Sequence, residues 1–472
     1  MQAGIIIPNM EISDFVIQNI WWKGKEYLKD DKHLREYREK KYKWQPEILK
    51  DIKLIPGNLY SLRGPRQIGK TTLVKLIIES LIQDGIPEKT VVYMNCDSIL
   101  GFTELLNTLR AYHEYADSLL IKEKYVFLDE ISGIENWQKT VKVLVDSGEM
   151  KNTCLFLTGS HTLDIKKGFD MLPGRTGKYG KDFLLLPLTF KEYVSLIKPE
   201  IGEKLEQLSS SSTSLKEINS AVSSALPFDH DLKIIFNQYL LTGGFPLAIN
   251  EFHTGKNIPD YVYEIYSRWV IGDIVKWGKQ EKILKQILRT AILKQSTAVS
   301  FDSFAKEAEI KSHKTVSTYV EDLENMFVFL VLYFMDFNKK IPDYTKNKKI
   351  YFFDPFIYHI FNRLLNLKEA EVNPSLIESV AAVHFARFVH RQYPNMSFNN
   401  LIFYWKNKKE TDIVLKLDKK LLAVEVKYQE KIMKDDFHSL YHFESGLILS
   451  KTSLKIDDKY SVIPVHLMLA VI

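Results

Sequence analysis

Eight consecutive residues, Gly64-Pro65-Arg66-Gln67-Ile68-Gly69-Lys70-Thr71, set two glycines, a lysine and a hydroxyl at the spacing of a loop that wraps phosphate groups; Thr72 follows. Glycines let backbone N–H groups approach the phosphates, and a helix opening there adds the positive end of its dipole. Lys70 is then expected to reach the β- and γ-phosphates of ATP, and the Thr71 hydroxyl to ligate Mg²⁺. Downstream, Tyr125-Val126-Phe127-Leu128-Asp129-Glu130 is an apolar run ending in two carboxylates. Asp129 reads as the holder of Mg²⁺ through water, and Glu130 as the group that polarises the attacking water. A third run, Cys154-Leu155-Phe156-Leu157-Thr158-Gly159-Ser160, ends in small polar residues. Ser160 or Thr158 would stand beside the γ-phosphate as a sensor, Ser160 being preferred.

These groups need a frame. Short β-rich runs at Leu59–Arg63, Val91–Asn95, Tyr125–Asp129, Cys154–Thr158 and Phe183–Leu186 alternate with amphipathic helices, including Thr71–Gln83 after the loop. That alternation predicts a parallel sheet covered by helices, with the chemistry at the carboxyl edge of its strands. The strand at 154–158 should lie between the two that carry the loop and the carboxylates. Arg175, in a glycine-containing loop after the sensor strand, is placed to reach the ATP of a neighbouring subunit and steady charge on the transferring phosphoryl group. Activity would then need a homo-oligomer.

The segment Leu62-Arg63-Gly64-Pro65-Arg66-Gln67-Ile68-Gly69-Lys70-Thr71-Thr72 resembles the P-loop of archaeal and bacterial AAA-type ATPases that carry a C-terminal restriction-endonuclease-like domain. Further segments are similar to landmarks of that family: Pro173-Gly174-Arg175; Leu186-Pro187-Leu188-Thr189-Phe190 with Glu192; Gly243-Gly244-Phe245-Pro246; Arg268 with Asp273; and Tyr351-Phe352-Phe353-Asp354-Pro355. Tyr404-Trp405-Lys406 and Glu410-Thr411-Asp412 are similar to its C-terminal pattern, and the resemblance spans roughly residues 40 to 450.

Three helical patterns, 283–293, 301–308 and 312–327, are followed by apolar runs at 328–334 and 349–353 that could pair as a wing. Ser312 is placed as an N-cap, and Lys311, His313, Lys314 and Ser317 load the start of the third helix with groups that suit DNA. In Ala423-Val424-Glu425-Val426-Lys427, alternation puts Glu425 and Lys427 on one strand face. Asp412 begins a strand thirteen residues before Glu425, Asp418-Lys419-Lys420 can turn the hairpin, and Glu378 lies on an upstream helix. This is the D…ExK arrangement of restriction-endonuclease-like nucleases. Glu378, Asp412 and Glu425 would hold a divalent metal that activates water, and Lys427 would stabilise the attacked phosphate. Lys406, Lys408 and Lys409 are either phosphate contacts or a solvated face.

Composition limits the rest. The chain has 472 residues, too many for a single core, and 64 cations against 59 anions leave a net charge of +5, which permits DNA without demanding it. Its two cysteines read as buried apolar residues in a reducing compartment. The longest apolar run, Met326–Met335, has ten residues, about half of a membrane span, and no signal-peptide pattern opens the chain, so a cytoplasmic protein without a membrane partner is expected. The fold class expected is α/β: a P-loop ATPase parallel sheet with a helical lid, then a winged helix-turn-helix, then a restriction-endonuclease-like α/β domain. The segments are 1–45 (N-terminal helical, with Lys23–Lys43 as a solvated helix), 46–195 (ATPase core), 196–280 (lid, with a flexible serine-rich insertion at 209–214), 281–355 (winged helix) and 356–472 (nuclease-like). An ATP-driven DNA-acting protein is the leading reading. The other is an ATP-dependent switch whose C-terminal modules make protein contacts.

Overall fold

A computed structural model describes residues 12–159, 162–172, 174–208, 214–367, 373–417 and 420–472. The chain forms two compact units, Met1–Leu186 and Pro187–Ile472.

The first unit is built on five parallel strands: β1 (Leu59–Arg63), β2 (Val91–Asn95), β3 (Lys124–Asp129), β4 (Thr153–Gly159) and β5 (Lys181–Leu184). They lie in the order β2-β3-β4-β1-β5, so β4 sits between the loop-bearing β1 and the carboxylate-bearing β3, as expected. β3 and β4 are buried throughout, which explains their unbroken apolar runs. The helix Lys70–Gln83 follows β1 and buries Leu73, Val74, Ile77, Ile78 and Ile82.

The N-terminal segment departs from the expected solvated helix. Two short 3₁₀ turns, Ile20–Lys23 and Lys25–Asp30, precede the helix Lys32–Glu39, and Trp21, Trp22, Leu28 and Leu34 are buried. The reason lies at the open edge of β2, whose backbone groups need partners. Asn19 Nδ2 donates to Tyr93 O (2.9 Å) and Asn19 Oδ1 accepts from Tyr93 N (2.6 Å). The indoles of Trp21 and Trp22 donate to Val91 O, and Gln18 Oε1 accepts from Asn95 N. Side chains here do what a sixth strand would have done.

The second unit begins with helices over residues 190–276 and continues with helices Glu281–Lys294, Phe301–Glu307 and His313–Asn325. Val316, Val320, Leu323 and Phe327 face inward, and Ser312 caps the third helix by accepting from Lys314 N. A seven-stranded sheet follows: β6 (Phe329–Asp336), β7 (Ile341–Phe352), β8 (Ile402–Lys406), β9 (Glu410–Leu417), β10 (Lys420–Lys427), β11 (Ser445–Ser450) and β12 (Tyr460–Pro464), in the order β12-β11-β10-β9-β8-β6-β7. β6 and β7 pair as the hairpin expected of a wing, but β6 also pairs in parallel with β8. The segments read as 281–355 and 356–472 therefore share one sheet. The helix Pro374–Gln392 packs against β7, β8, β9 and β10.

Several residues that stood out in the sequence serve this architecture. Asp354 caps the helix Pro355–Leu364 by accepting from Phe356 N (2.8 Å), and its other oxygen accepts from Gly244 N (2.9 Å). Gly243, at φ +54°, has no room for a Cβ, which would stand 1.8 Å from Asp354 Oδ1. Thr189 and Glu192 form a reciprocal cap on the helix Phe190–Ile197. Arg268 pairs with Glu264, and Asp273 accepts from Trp269. Most of the 209–214 insertion and the 418–419 turn lie outside the described residues. Among those described, no helix is long and apolar enough to cross a membrane.

Candidate functional site

β1 runs directly into the loop 64–69, and Gly69 opens the helix from the left-handed region at φ +103°, which a side chain would strain. Lys70 is buried; its Nζ donates to the carbonyls of Gly64 (3.1 Å) and Pro65 (3.0 Å). Thr71 Oγ1 donates to Asp129 Oδ2 at 2.7 Å, joining the first turn of the helix to the end of β3. Asp129 is 1% exposed and carries two more hydroxyls, Tyr93 on Oδ2 (2.8 Å) and Thr158 on Oδ1. Thr158 also accepts from Glu130 N (3.2 Å). Glu130 leaves the strand at φ +57°, ψ +36°, an uncommon conformation for a non-glycine residue that costs on the order of 1–3 kcal/mol and recurs at functional sites.

Behind Asp129 stands a second layer absent from the sequence reading. Tyr93 lies on β2, and burial, then the charge of Asp129, push its phenol well up, which keeps it a donor. Lys75 Nζ sits 3.5 Å from the Tyr93 ring centroid and 4.7 Å from that of Trp21. Its counter-ion is Asp31 Oδ2 at 3.2 Å; burial lowers the Lys75 pKa, against the opposing pull of Asp31 and Asp129. The chain Asp31–Lys75–Tyr93–Asp129 thus ties the N-terminal segment to the carboxylate. One sequence signal was open to reading: Lys75 lies on the apolar face of its helix, between Val74 and Ile78.

A hydroxyl and a carboxylate in direct contact at the carboxyl edge of a parallel sheet, with Lys70 next to the hydroxyl in sequence, is a donor set that fits Mg²⁺ beside a nucleotide phosphate. Ser160, the preferred sensor, lies outside the described residues; Thr158, the other hydroxyl considered, bridges Asp129 and Glu130. Arg175 is elsewhere. It pairs with Asp146 (2.7 Å from Nε) and lines a cleft of ≈ 280 Å³ with Asn58, Leu59 and Thr153, at the amino ends of β1 and β4. β1 spans five residues, about 16 Å, so Arg175 does not reach the chain's own P-loop.

In the second unit the structure brings Glu378, Asp412, Glu425 and Lys427 to one end of the sheet, with partners the sequence reading did not name. Lys349, on β7, is fully buried, and its Nζ lies 2.9 Å from Glu378 Oε1, 2.8 Å from Glu410 Oε1 and 2.9 Å from Asp412 Oδ1. Burial opposes its charge, but Asp412, Tyr351, Glu378 and Glu410 outweigh that and hold its pKa well above the usual lysine value. Tyr351 OH donates to Glu378 Oε1 (2.6 Å) and Val426 N to Asp412 Oδ2 (2.9 Å). Glu425 takes Lys427 on Oε1 (2.6 Å) and Ser439 on Oε2 (2.9 Å). Burial, then the charge of Asp412, raise the pKa values of both Glu378 and Glu425. The readable hint was Lys349 and Tyr351, alternate residues sharing the inner face of a strand.

At the same end of this sheet, the β6–β7 turn carries Lys339 and Lys340, and the β8–β9 turn, with its flanks, carries Lys406, Lys408 and Lys409. Because β6 and β8 are parallel the two turns are neighbours, and the Phe337 ring packs against Trp405 at a 42° tilt with centroids 5.0 Å apart. On the helix His313–Asn325, His313 pairs with Asp302 (3.0 Å) while Lys311 and Lys314 are exposed.

Residues 57–194 match the family model described as an AAA domain, residues 234–371 a domain of unknown function (DUF8612), and residues 376–468 another (DUF4143). Two uncharacterized proteins of Methanocaldococcus jannaschii are similar. One is 25% identical over 412 residues, 84% of this chain and 81% of the relative; the other is 24% identical over 401 residues, 82% and 81%. The Walker-type ATPase PABY2304 of Pyrococcus abyssi is similar in structure at 13% identity, covering 76% of this chain and 99% of that one, with a TM-score of 0.40. The P-loop, the strand order and the family match together make residues 57–194 an AAA-type P-loop ATPase domain.

Proposed function

We propose that this chain hydrolyses ATP with Mg²⁺ and uses the cycle to act on DNA held by its second unit. The observation that carries the ATPase part is the 2.7 Å contact between Thr71 Oγ1 and Asp129 Oδ2, which supports reading the two as a Mg²⁺-holding pair beside the P-loop. Thr71 and Asp129 would hold Mg²⁺ there, and the ion would offset the charge of the phosphates. The N–H groups of residues 64–72 orient the phosphates, and Lys70 exchanges two loop carbonyls for phosphate oxygens. Glu130 polarises the attacking water, its backbone held by Thr158. Arg175 gives up Asp146 and completes the site of a second copy, so the working form is a homo-oligomer.

The DNA part is supported by five lysines on two adjacent turns, Lys339, Lys340, Lys406, Lys408 and Lys409, where a phosphate backbone would lie across a sheet end. The sheet itself, with the helix Pro374–Gln392 upstream of a β8–β9–β10 meander bearing Asp412 and Glu425, supports a restriction-endonuclease-like reading. The three helices and the β6–β7 hairpin support a winged helix.

The test measures ATP turnover with and without single-stranded, duplex and branched DNA, and DNA affinity as a function of salt. Lys70→Ala is expected to lose nucleotide binding or turnover. Glu130→Gln is expected to keep binding while hydrolysis falls by roughly a hundredfold or more. Lys406→Gln/Lys408→Gln should lower the slope of log K against log salt by about 2. Undiminished hydrolysis in Glu130→Gln removes that residue from its role, and no DNA binding at low salt refutes the DNA part.

A further inference from the structure

We propose that the carboxylate cluster of the second unit is closed by Lys349 as its resident cation, so that the C-terminal sheet holds DNA without cutting it by metal-dependent hydrolysis. This rests on the restriction-endonuclease-like reading above, whose sites use these carboxylates for a divalent metal.

The residues do not fit that metal. A lysine ammonium has three N–H donors, and Lys349 meets three carboxylates, Glu378, Glu410 and Asp412, at 2.8–2.9 Å. A hard divalent cation needs several oxygen ligands converging on one point. Here the would-be ligands already converge on a buried ammonium. Asp412 Oδ1 faces Lys349 and Oδ2 accepts from Val426 N; Glu378 Oε1 accepts from both Lys349 and Tyr351. Glu425 is turned to Lys427 and Ser439. Among the described residues, no group of three or more His, Cys, Asp or Glu side chains is placed to hold a metal ion. A divalent ion entering the cluster would meet a buried ammonium on the same oxygens, and like charges at that distance repel strongly where little water screens them. Lys349 has no route to solvent on its own, because its side chain is 1% exposed and comes from β7, a strand of the same sheet. Lys349 thus holds the position among the carboxylates that a metal would need, and Lys427, bound to Glu425, is likewise engaged within the protein.

The experiment titrates Mn²⁺, followed by its electron paramagnetic resonance, into the nucleotide-free full chain beside Asp412→Asn and Lys349→Ser. Wild type and Asp412→Asn should bind alike. Lys349→Ser should gain a site at least about tenfold tighter than any in the wild type, and lose it again in Lys349→Ser/Asp412→Asn. Mn²⁺ binding by wild type that Asp412→Asn abolishes overturns the proposal. So does plasmid cleavage by wild type that is lost in Asp412→Asn, and so does a folded Lys349→Ser that gains no site. If Lys349→Ser does not fold, Lys349→Ser/Glu378→Gln removes the cation together with one carboxylate charge and is judged by the same criteria. DNA binding in EDTA, measured on the same samples, reports separately on the DNA reading: its loss refutes that reading and leaves the Mn²⁺ result standing.

Discussion

Replacing Asp31 by Asn isolates the ion pair that anchors the N-terminal segment. Asp31 uses Oδ1 to cap the helix Lys32–Glu39, accepting from His33 N (3.0 Å) and Leu34 N (3.2 Å), and Oδ2 to hold Lys75. Asparagine keeps an oxygen for the cap and removes the counter-ion. Lys75 is 3% exposed, and stripping the partner from a buried charge costs roughly 3–5 kcal/mol. The Tyr93 and Trp21 rings remain against the ammonium and hold back about 1–2 kcal/mol, leaving a loss of about 1–4 kcal/mol. In a unit of this size that lowers the melting midpoint by roughly 2–16 °C. The sign of the pH dependence is diagnostic. The folded pKa of Lys75 lies below its unfolded value, so between the two the unfolded chain binds more protons and stability rises with pH. Removing Asp31 removes an influence that held that pKa up, so the window widens downward and the rise in Asp31→Asn becomes steeper. Calorimetric melts of the wild type, Asp31→Asn, Lys75→Met and the double mutant test this. The double mutant should recover most of the loss, because Met brings no charge to bury. A loss under about 0.5 kcal/mol in Asp31→Asn, or a double mutant equal to the sum of the singles, refutes the reasoning.

Burial lifts the Asp354 carboxyl from 3.8 to about 7 against its backbone N–H donors, so the folded chain keeps a proton the unfolded chain has lost. Stability should then fall as pH rises from about 4 to about 7, by on the order of 4 kcal/mol, and urea midpoints of Asp354→Asn should lack that slope. Arg175→Ala should leave stability within about 0.5 kcal/mol, since the pair with Asp146 is largely solvated, yet lower ATP turnover; mixing it with Glu130→Gln protein should partly restore turnover at shared interfaces. Wild-type turnover per chain that stays constant over wide dilution of a monomer refutes the trans role.

Much of the first unit was legible because its signals are local. A P-loop is defined by neighbours in sequence, and β3 announces its end with Asp129 and Glu130. The strand order, with β4 between β1 and β3, followed from the motif class. What stayed hidden was pairing across distance. Asn19 and Tyr93 exchange hydrogen bonds 74 positions apart, and nothing around Asn19 marks it as a substitute for a strand. The expected solvated helix at 23–43 was a fair inference from its charges. A largely solvated helix forms only over Lys32–Glu39: just before it Trp21 and Trp22 turn to the open edge of β2, and Asp31 is buried against Lys75.

The C-terminal unit carries the sharper lesson. Alternation correctly placed Glu425 and Lys427 on one face of β10, and Asp412 and Glu378 came to the same end of the sheet. Yet the chemistry of a carboxylate cluster depends on which cation compensates it, and that cation need not be encoded nearby. Lys349 stands 63 positions before Asp412, on a strand whose sequence reads as part of a wing. Because β6 pairs with β8, the hairpin joins the C-terminal sheet and delivers Lys349 to the carboxylates. A lysine buried on an inner strand face must find anions, and three carboxylates converging in a protein interior must find a cation. Each requirement is visible in the sequence, and only the sheet order joins them. With Lys349 on β7 among Glu378, Glu410 and Asp412, the cluster reads as a structural ion-pair network that the motif alone would have presented as an open carboxylate set.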